Sequence, residues 1–351
     1  MNLNVALVGF GNVGRALAEL LLAKQEALRS EFHVVVRVVG ISTGRHGYAI
    51  ASSGISLRTA LDAVRFGSRL DGLHEGRPIQ DTVSFLDRCP ADLVFESLPT
   101  NPTDGQPALD HIRSLLERGI HVVTANKGPV AFGYHDLKAL AVAHQVGFFF
   151  ESAVMDGVPA LGIGRESLVG ATISEIRGIF NSTTNYILTQ MEYENLSFDE
   201  AVKMAQDLGV AETDPSLDID GWDSALKIVI MANVLMGTDL RPADVLRESI
   251  RNITLDDILE ASAAGQRIKL VCEAVHQPDG GVTASVVPRR LPLNDPFAAV
   301  MGTSNVVDYF TDTLSQLTVI EHNPSPTTSA YGMLVDMLNV VRGRHMVEGT
   351  E

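Results

Sequence analysis

The chain has 351 residues, of which 45% are hydrophobic, so it is long enough for two domains with separate apolar cores. Its formal net charge of −16 argues against a nucleic-acid-binding surface, which requires a basic patch. Its two cysteines exclude a disulfide framework and a cysteine-rich metal site. The N-terminus enters an apolar strand without a signal peptide, and no apolar run is long enough to span a membrane. We therefore expect a cytoplasmic protein that binds neither nucleic acid nor membrane.

The first 150 residues alternate between short apolar strands and amphipathic helices. The second strand, at residues 32–41, is too apolar for a sheet with one solvated face, as buried parallel strands are. This alternation predicts a doubly wound parallel sheet of the Rossmann type. Strands are predicted at residues 5–8, 32–41, 91–96, 121–124 and 148–151, and helices at 12–29 and 107–118.

The segment GFGNVG, residues 9–14, follows the first strand and opens the first helix, which is the context of a dinucleotide-binding motif. Gly9 would allow the tight turn, Gly11 the approach of backbone to a pyrophosphate, and Gly14 close helix–sheet packing. The N–H groups of the helix N-terminus would then bind the phosphates. The alternative is a tight turn that binds no ligand.

The end of the second strand indicates which dinucleotide is bound. A carboxylate there would bind the 2′-hydroxyl of NAD. This chain has Ser42, Thr43 and Arg45 and no acid. Arg45 would pair with a 2′-phosphate while the two hydroxyls donate hydrogen bonds, which favours NADP and leaves NAD open. The alternative is that Arg45 is an ordinary solvated loop residue.

Two later loops are predicted at the carboxyl edge of the sheet, where ligands bind in such folds. One is SLPTNP, residues 97–102, in which Thr100 is a candidate cofactor contact. The other is TANKGP, residues 124–129, in which Lys127 would reach a substrate carboxylate or the cofactor. The alternative for Lys127 is a surface lysine beside a Gly-Pro turn.

The second half of the chain has an α+β pattern. A capping box of Ser197 and Glu200 begins one of its helices, which Gly209 ends. Strands are predicted at residues 174–180, 266–274 and 282–287.

The segment AETDPSLDIDGWDSALK, residues 211–227, contains five acids followed by one lysine. Asp223 and Lys227 are four residues apart, so on a helix they share one face. An acid and an ammonium aimed at one point would hold a small cationic substrate and move a proton. The alternative is a solvated acidic loop with an ordinary i,i+4 salt bridge, worth about 0.3–0.5 kcal/mol.

Five segments occur in one order and together resemble homoserine dehydrogenase over about residues 1–340: GFGNVG, VVTANKGPVA, ESAVMDGVP, IRGIFNSTTNYIL and AETDPSLDIDGWDSALK. The resemblance implies interconversion of L-homoserine and L-aspartate 4-semialdehyde with NAD(P), in threonine and methionine biosynthesis. It implies a dinucleotide-binding domain (1–151), a substrate-binding and dimerisation domain (152–310) and a C-terminal segment (311–351) that returns to the first domain. It also implies a homodimer, and at 351 residues we do not expect feedback control through the C-terminal regulatory domain that many members carry.

The resemblance assigns roles to individual residues. Lys227 matches the lysine that donates and accepts the proton, and Asp223 matches its carboxylate partner at the substrate oxygen. Glu212 and Asp218 match acids that bind the substrate, the second near its amino group. The other expected contacts are Thr183 and Lys127 for the substrate; Gly9, Gly11, Asn12, Val13, Gly14, Ser42, Thr43, Arg45, Thr100 and again Lys127 for the cofactor; and Glu151, Val154, Asp156 and Val158, largely through main-chain carbonyls, for a monovalent cation such as Na⁺.

The chain departs from the family pattern in three places, one of which is Ser249, where glycine is usual. The family often has a glycine-rich cofactor-binding stretch where residues 321–330 read EHNPSPTTSA, and Pro324 and Pro326 should make a stiffer loop there. Asp156 stands where many members have a small residue. Because of these departures, the chain could instead be a related dehydrogenase that acts on another small amino or hydroxy acid. A non-catalytic dinucleotide sensor is also open, but it would not need the acid–lysine pair of the helix.

Overall fold

A computed structural model describes residues 1–344, which divide into two compact units. Unit 1 contains Met1–Val158 and the C-terminal residues from Ser325 on, and unit 2 is Pro159–Pro324. Residues 345–351, the end of the C-terminal segment expected from the sequence, lie outside the described residues. No helix of the described chain is long and apolar enough to cross a membrane.

The sheet of unit 1 is built from β1 (Asn2–Val8), β2 (Val35–Thr43), β3 (Gly47–Ile50), β4 (Leu93–Glu96), β5 (His121–Thr124) and β6 (Phe148–Phe149). Their order across the sheet is β3-β2-β1-β4-β5-β6. Neighbouring strands are parallel, except that β2 and β3 form an antiparallel hairpin at the edge. The predicted doubly wound parallel sheet is confirmed, and the edge strand β3 is an addition that the sequence did not indicate.

Helices connect these strands and cover the sheet. The buried residues of the first, Gly14, Leu17, Ala18 and Leu21, follow the three- and four-residue spacing of one helix face. The single helix predicted over residues 12–29 is two helices, because Lys24 leaves the helical conformation. The helices of this part of unit 1 are α1 (Asn12–Ala23), α2 (Gln25–Ser30), α3 (Leu57–Arg65), α4 (Thr82–Arg88), α5 (Ala108–Glu117), α6 (Lys127–Ala143) and α7 (Ser152–Met155).

Unit 2 contains a second six-stranded sheet. Its strands are β7 (Ile173–Ile179), β8 (Leu246–Arg247), β9 (Gln266–His276), β10 (Val282–Pro292), β11 (Asn305–Thr311) and β12 (Ser315–Glu321). Their order is β12-β11-β7-β9-β10-β8, and the neighbours are antiparallel except for β10 and β8. The α+β architecture expected for this half of the chain is confirmed.

The helices of unit 2 are α8 (Ala160–Gly162), α9 (Ser182–Tyr193), α10 (Phe198–Asp207), α11 (Ser216–Ile219), α12 (Trp222–Leu235) and α13 (Leu255–Ala263). The capping box of Ser197 and Glu200 begins α10 as predicted. Gly209 follows the end of this helix with φ +71°, a conformation that favours glycine. Helix α12 is apolar on nearly all sides and its residues from Ser224 to Asn233 are largely buried, so it is a core helix.

The last helix of the described residues, α14 (Pro326–Val341), belongs to unit 1. Ser325 caps it with a capping box, and Pro326 occupies the first helical position, where a missing N–H costs nothing. Its buried face joins the core around Leu17 of α1 and Phe149 of β6. The buried residues of this face are Ala330, Met333, Leu334, Met337 and Leu338.

Candidate active site

The glycine loop between β1 and α1 has the backbone geometry that its sequence predicts. Gly9 has φ +96°, and a Cβ there would lie 2.6 Å from the carbonyl oxygen of Ser97. A Cβ on Gly14 would lie 2.2 Å from the carbonyl oxygen of Gly9. A Cβ on Gly11 would meet no atom within 4 Å among the described residues beyond its neighbours. Packing therefore requires Gly9 and Gly14, whereas the backbone at Gly11 is open to a ligand.

The turn after β2 presents Arg45 to solvent. Ser42 and Thr43 are buried, and the carbonyl oxygen of Ser42 accepts a hydrogen bond from Gly9 N at 3.0 Å. The hydroxyl of Thr43 accepts hydrogen bonds from the backbone nitrogens of Arg45 (3.2 Å) and His46 (2.7 Å). Thr43 therefore shapes the turn, and Arg45 is the exposed side chain at its tip.

Lys127 lies at the carboxyl end of β5, where it is the first residue of α6. Asn126 caps this helix, because its side-chain oxygen accepts a hydrogen bond from Gly128 N at 3.1 Å. A Cβ on Gly128 would lie 3.0 Å from the carbonyl oxygen of Asn101, so the loop of residues 97–102 packs closely on the helix start. The structure thus brings the two predicted loops together, with Thr100 half-buried in the first of them.

A buried carboxylate joins these two loops, and the sequence analysis did not single it out. Glu96 is the last residue of β4 and is 1% exposed. Its Oε1 accepts hydrogen bonds from Leu98 N (2.8 Å) and Asn126 Nδ2 (3.2 Å), and its Oε2 accepts one from Thr124 Oγ1 (2.5 Å). Burial raises the pKa of Glu96, and the three hydrogen bonds oppose this rise. An acid that ends an apolar strand, LVFE, was the available signal, since buried acids require partners.

Asp223 and Lys227 form an ion pair on one face of α12. Lys227 Nζ lies 3.2 Å from Asp223 Oδ2, and the two side chains are 13% and 15% exposed. The same ammonium donates a hydrogen bond to the carbonyl oxygen of Phe180 at 2.5 Å. The pair is therefore sheltered from solvent, unlike the ordinary surface salt bridge that was the alternative interpretation.

Asn181 connects this pair to a second carboxylate. Its Nδ2 donates hydrogen bonds to Asp218 Oδ1 (2.7 Å) and Asp223 Oδ2 (3.0 Å), while its Oδ1 caps α9 at Thr184 N. Burial and the nearby charge of Asp223 raise the pKa of Asp218; hydrogen bonds and the charge of Lys227 oppose this. Two carboxylates and one ammonium in one cluster leave an excess negative charge that a second cation would neutralise.

The other predicted substrate residues lie at different depths. Thr183 is buried, and its hydroxyl donates a hydrogen bond to the carbonyl oxygen of Val210 at 3.2 Å. Glu212 is exposed, and its loop is held through main-chain oxygens that accept hydrogen bonds from Gln206. Thr183 also lies close enough to Asp218 to oppose the rise in the pKa of that carboxyl, so it belongs to the cluster. The described residues place the Glu212 carboxylate outside that hydrogen-bonded cluster.

The two remaining acids of the segment have local structural partners. Asp214 accepts hydrogen bonds from the backbone nitrogen (3.2 Å) and hydroxyl (2.6 Å) of Ser216. Asp220 forms an ion pair with Arg251 at 2.6 Å and accepts a hydrogen bond from Ser249 at 3.0 Å. The five acids are thus divided between chain architecture, the surface and the cluster around Asn181.

The predicted cation segment turns sharply at Asp156, which has φ +45°. The carboxylate of Asp156 accepts a hydrogen bond from the hydroxyl of Ser329 on α14. A Cβ on Gly157 would lie 2.6 Å from the carbonyl oxygen of Thr328, so this turn packs closely on the start of α14. Among residues 1–344, no group of three or more His, Cys, Asp or Glu side chains could hold a metal ion.

Comparison with known proteins identifies the family. The model for the homoserine dehydrogenase NAD-binding domain matches residues 9–151, and the homoserine dehydrogenase model matches residues 159–338. An NAD(+)-dependent homoserine dehydrogenase from Pseudomonas canavaninivorans is 38% identical over 344 residues, which cover 96% of this chain and 95% of that protein.

Solved structures give the same result. The structure of a putative homoserine dehydrogenase from Archaeoglobus fulgidus has a TM-score of 0.86 at 31% identity, with coverage of 97% of this chain and 99% of that one. A hyperthermophilic archaeal homoserine dehydrogenase in complex with NADPH has a TM-score of 0.83 at 29% identity, with coverage of 97% and 98%. The chain therefore belongs to the homoserine dehydrogenase family of NAD(P)-dependent oxidoreductases, which act on a CH–OH group.

Proposed function

We propose that Lys227 is the proton donor and acceptor in the interconversion of L-aspartate 4-semialdehyde and L-homoserine. The observation that carries this proposal is the sheltered ion pair with Asp223 at 3.2 Å. The dinucleotide, when bound, would supply or take the hydride. In the reductive direction the aldehyde oxygen gains negative charge; the ammonium of Lys227 stabilises that charge and gives the oxygen a proton. Asp223 holds the ammonium in place, and in the oxidative direction the neutral amine takes the hydroxyl proton.

Asp218 and Glu212 bind the substrate ammonium in this proposal. The charge of the cluster supports the role of Asp218, because two carboxylates face one lysine and an incoming ammonium would balance the second. Binding of the ammonium would also favour the charged form of Asp218, whose pKa burial raises. Glu212, which is exposed, would reach the same group from its loop. Thr183 would add a hydroxyl contact, and Lys127 would bind the substrate carboxylate.

The cofactor is held through the glycine loop and the loops at the carboxyl edge of the unit 1 sheet. We infer that the backbones of Gly9, Gly11, Asn12, Val13 and Gly14 contact the pyrophosphate, because the chain is open at Gly11 and α1 begins at Asn12. Thr100 and Lys127 would contact the cofactor from the neighbouring loops.

We propose that the preferred cofactor is NADP rather than NAD. The exposed guanidinium of Arg45 stands at the end of β2, and neither Ser42 nor Thr43 supplies a carboxylate for a ribose 2′-hydroxyl. The test compares kcat/KM for NADPH and NADH in the wild type, Arg45→Ala and the control Arg29→Ala, an exposed arginine elsewhere in unit 1. Arg45→Ala should lower kcat/KM for NADPH about tenfold and leave that for NADH unchanged. Equal preference before and after the change would show that Arg45 does not contact the phosphate.

Three further properties complete the proposal. A monovalent cation such as Na⁺ would be held by the main-chain carbonyls of Glu151, Val154, Asp156 and Val158; neutral oxygens on a sharp turn fit such an ion.

The protein would be a homodimer, for which the edge strand β12 is available in unit 2. A cytoplasmic location is consistent with two buried cysteines that are both unpaired. Light scattering, activity with and without Na⁺, and cell fractionation test these points.

The central experiment measures NADPH oxidation with L-aspartate 4-semialdehyde. Parallel reactions with small aldehydes and keto acids that lack the amino group test the substrate, since Asp218 and Glu212 should select for an ammonium. We expect turnover with the amino aldehyde and at least about 100-fold lower kcat/KM without the amino group, because the cluster would keep an uncompensated charge. Preference for a substrate without the amino group would indicate a different dehydrogenase reaction.

A further inference from the structure

We propose that Glu96 is a positioning residue that holds Lys127 and the start of α6 in the geometry that binds the dinucleotide. The inference rests on the proposed role of Lys127 as a cofactor contact. It begins from the chemistry of the strand end, where an acid is buried at the carboxyl edge of a parallel sheet. Ligands bind at this edge in such folds, so a charged group there requires a reason.

The contacts of Glu96 exclude a direct catalytic role. Its two oxygens accept three hydrogen bonds, all from protein groups: Leu98 N, Asn126 Nδ2 and Thr124 Oγ1. With 1% of its surface exposed, Glu96 is enclosed by protein groups and its carboxylate is not accessible to a ligand. Its partners instead come from both loops of the carboxyl edge, so its effect is to join them.

A short chain of bonds leads from Glu96 to Lys127. Asn126 donates to Glu96 through Nδ2 and accepts the hydrogen bond of Gly128 N through Oδ1, so one amide connects the carboxylate to the first turn of α6. Thr124 Oγ1 adds a second connection, because it donates to Glu96 and accepts a hydrogen bond from Asn126 N at 2.9 Å. Lys127 follows directly, and its backbone position is therefore set by residues that Glu96 orients.

The same strand end also supports the glycine loop. Ser97 N donates a hydrogen bond to the carbonyl oxygen of Val8 at 2.8 Å, and Ser97 Oγ donates one to the carbonyl oxygen of Gly9 at 3.2 Å. Glu96 thus lies between the loop that approaches the pyrophosphate and the loop that carries Lys127. Ser97 itself holds the glycine loop, so loss of the Glu96 carboxylate should weaken dinucleotide binding through Lys127 before it disturbs the fold of the sheet.

The test is a double-mutant cycle of Glu96→Ala and Lys127→Ala, with the NADPH Kd from fluorescence titration and kcat/KM from steady-state kinetics. Glu96→Ala should lower both affinity and kcat/KM about 10- to 100-fold, the range for a contact displaced by about 1 Å. When Lys127 is already alanine, Glu96→Ala should change the NADPH Kd and kcat/KM by less than about twofold, because the residue through which Glu96 acts is absent. Glu117→Ala, an exposed acid of the same unit, is the control and should match the wild type.

Glu96→Gln separates geometry from charge. Its carbonyl oxygen replaces Oε1 for Leu98 and Asn126, and its amide donates to the Thr124 hydroxyl, which has lone pairs for a second donor. We expect the NADPH Kd and kcat/KM of Glu96→Gln to stay within about threefold of the wild-type values. If Glu96→Ala does not fold, Asn126→Asp replaces it in the cycle: aspartate still caps α6 but repels Glu96, so the same loss is expected.

The outcomes separate this inference from the proposed function. If Lys127→Ala leaves the NADPH Kd and kcat/KM unchanged, Lys127 has no cofactor role and the inference about Glu96 is refuted with it. If Lys127→Ala weakens NADPH binding and Glu96→Ala weakens it by the same factor with or without Lys127, Lys127 keeps its role and the positioning role of Glu96 is refuted. A wild-type Kd and kcat/KM in Glu96→Ala would refute it as well.

Discussion

Replacing Lys227 tests the proposed chemistry most directly. At 3.2 Å and an effective dielectric constant of about 20, an ammonium and a unit negative charge attract by about 5 kcal/mol. In the free enzyme the Lys227 ammonium is attracted to Asp223. The reaction is accelerated only by the additional attraction that the ammonium gains as negative charge develops on the substrate oxygen. A differential contribution of about 3–5 kcal/mol corresponds to a 10²- to 10⁴-fold loss of kcat in Lys227→Ala.

The assay is steady-state oxidation of NADPH with L-aspartate 4-semialdehyde, alongside NADPH titration of each variant. Lys227→Ala should lose kcat while it binds NADPH normally, because Lys227 is assigned to the substrate oxygen. Lys227→Arg keeps a positive charge but cannot give up its proton at neutral pH, so it should remain at least about 100-fold below the wild type. A folded Lys227→Ala enzyme with kcat within about tenfold of the wild type would refute the proton-transfer role.

The chain contains a matched control for the stability effect of this substitution. Lys203 and Asp207 form an i,i+4 ion pair with the same spacing, but their side chains are 67% and 63% exposed. Lys203→Ala should change the free energy of unfolding by no more than about 0.5 kcal/mol. Lys227→Ala should destabilise the protein more, by about 1–3 kcal/mol, because it leaves Asp218 and Asp223 together without their cation.

Three other predictions concern the cluster and the core. Asp218→Asn should raise stability by about 0.5–2 kcal/mol in thermal unfolding while it raises the substrate KM, because burial disfavours the charged acid that binds the ammonium; a destabilised variant would contradict this. The native state keeps the proton of Asp218 to a higher pH than the unfolded state, so the advantage of Asn in unfolding titrations should grow as pH rises above the ordinary pKa of 3.8. The wild-type KM for substrate should in turn increase as pH falls through the raised pKa, and a flat profile would exclude Asp218 as the ammonium partner. Met337→Ala, at a fully buried position of α14, should cost about 2–5 kcal/mol in urea unfolding, with kcat/KM unchanged at low temperature; a cost below about 1 kcal/mol would contradict its place in the core.

Local patterns predicted most of the fold. The glycine motif, the apolar strands and the Ser197–Glu200 capping box depend on neighbouring residues, and each gave the correct element. The spacing of Asp223 and Lys227 predicted one helix face, which the structure confirms as an ion pair. The family resemblance was confirmed by matches to both parts of the chain.

Contacts between distant residues were harder to predict. The hairpin of β2 and β3 depends on pairing at the edge of the sheet, and its strand β3 is only four residues long. Glu96 finds its partners Thr124 and Asn126 28 and 30 residues away, and Asn181 reaches Asp218 and Asp223 from another helix. Five acids occur in one segment of the sequence. Only these long-range hydrogen bonds distinguish the acids of the cluster from those with a local structural role.

The return of α14 to unit 1 determines the order in which the chain can fold during synthesis. Ala330, Met333 and Met337 complete the core around Leu17, but the ribosome makes them only after the whole of unit 2. A nascent chain that has reached Pro324 contains every residue of unit 2, whereas unit 1 still exposes the apolar surface that α14 will cover. Unit 2 can therefore become stable first, and the dinucleotide-binding unit completes its core only when α14 has been released.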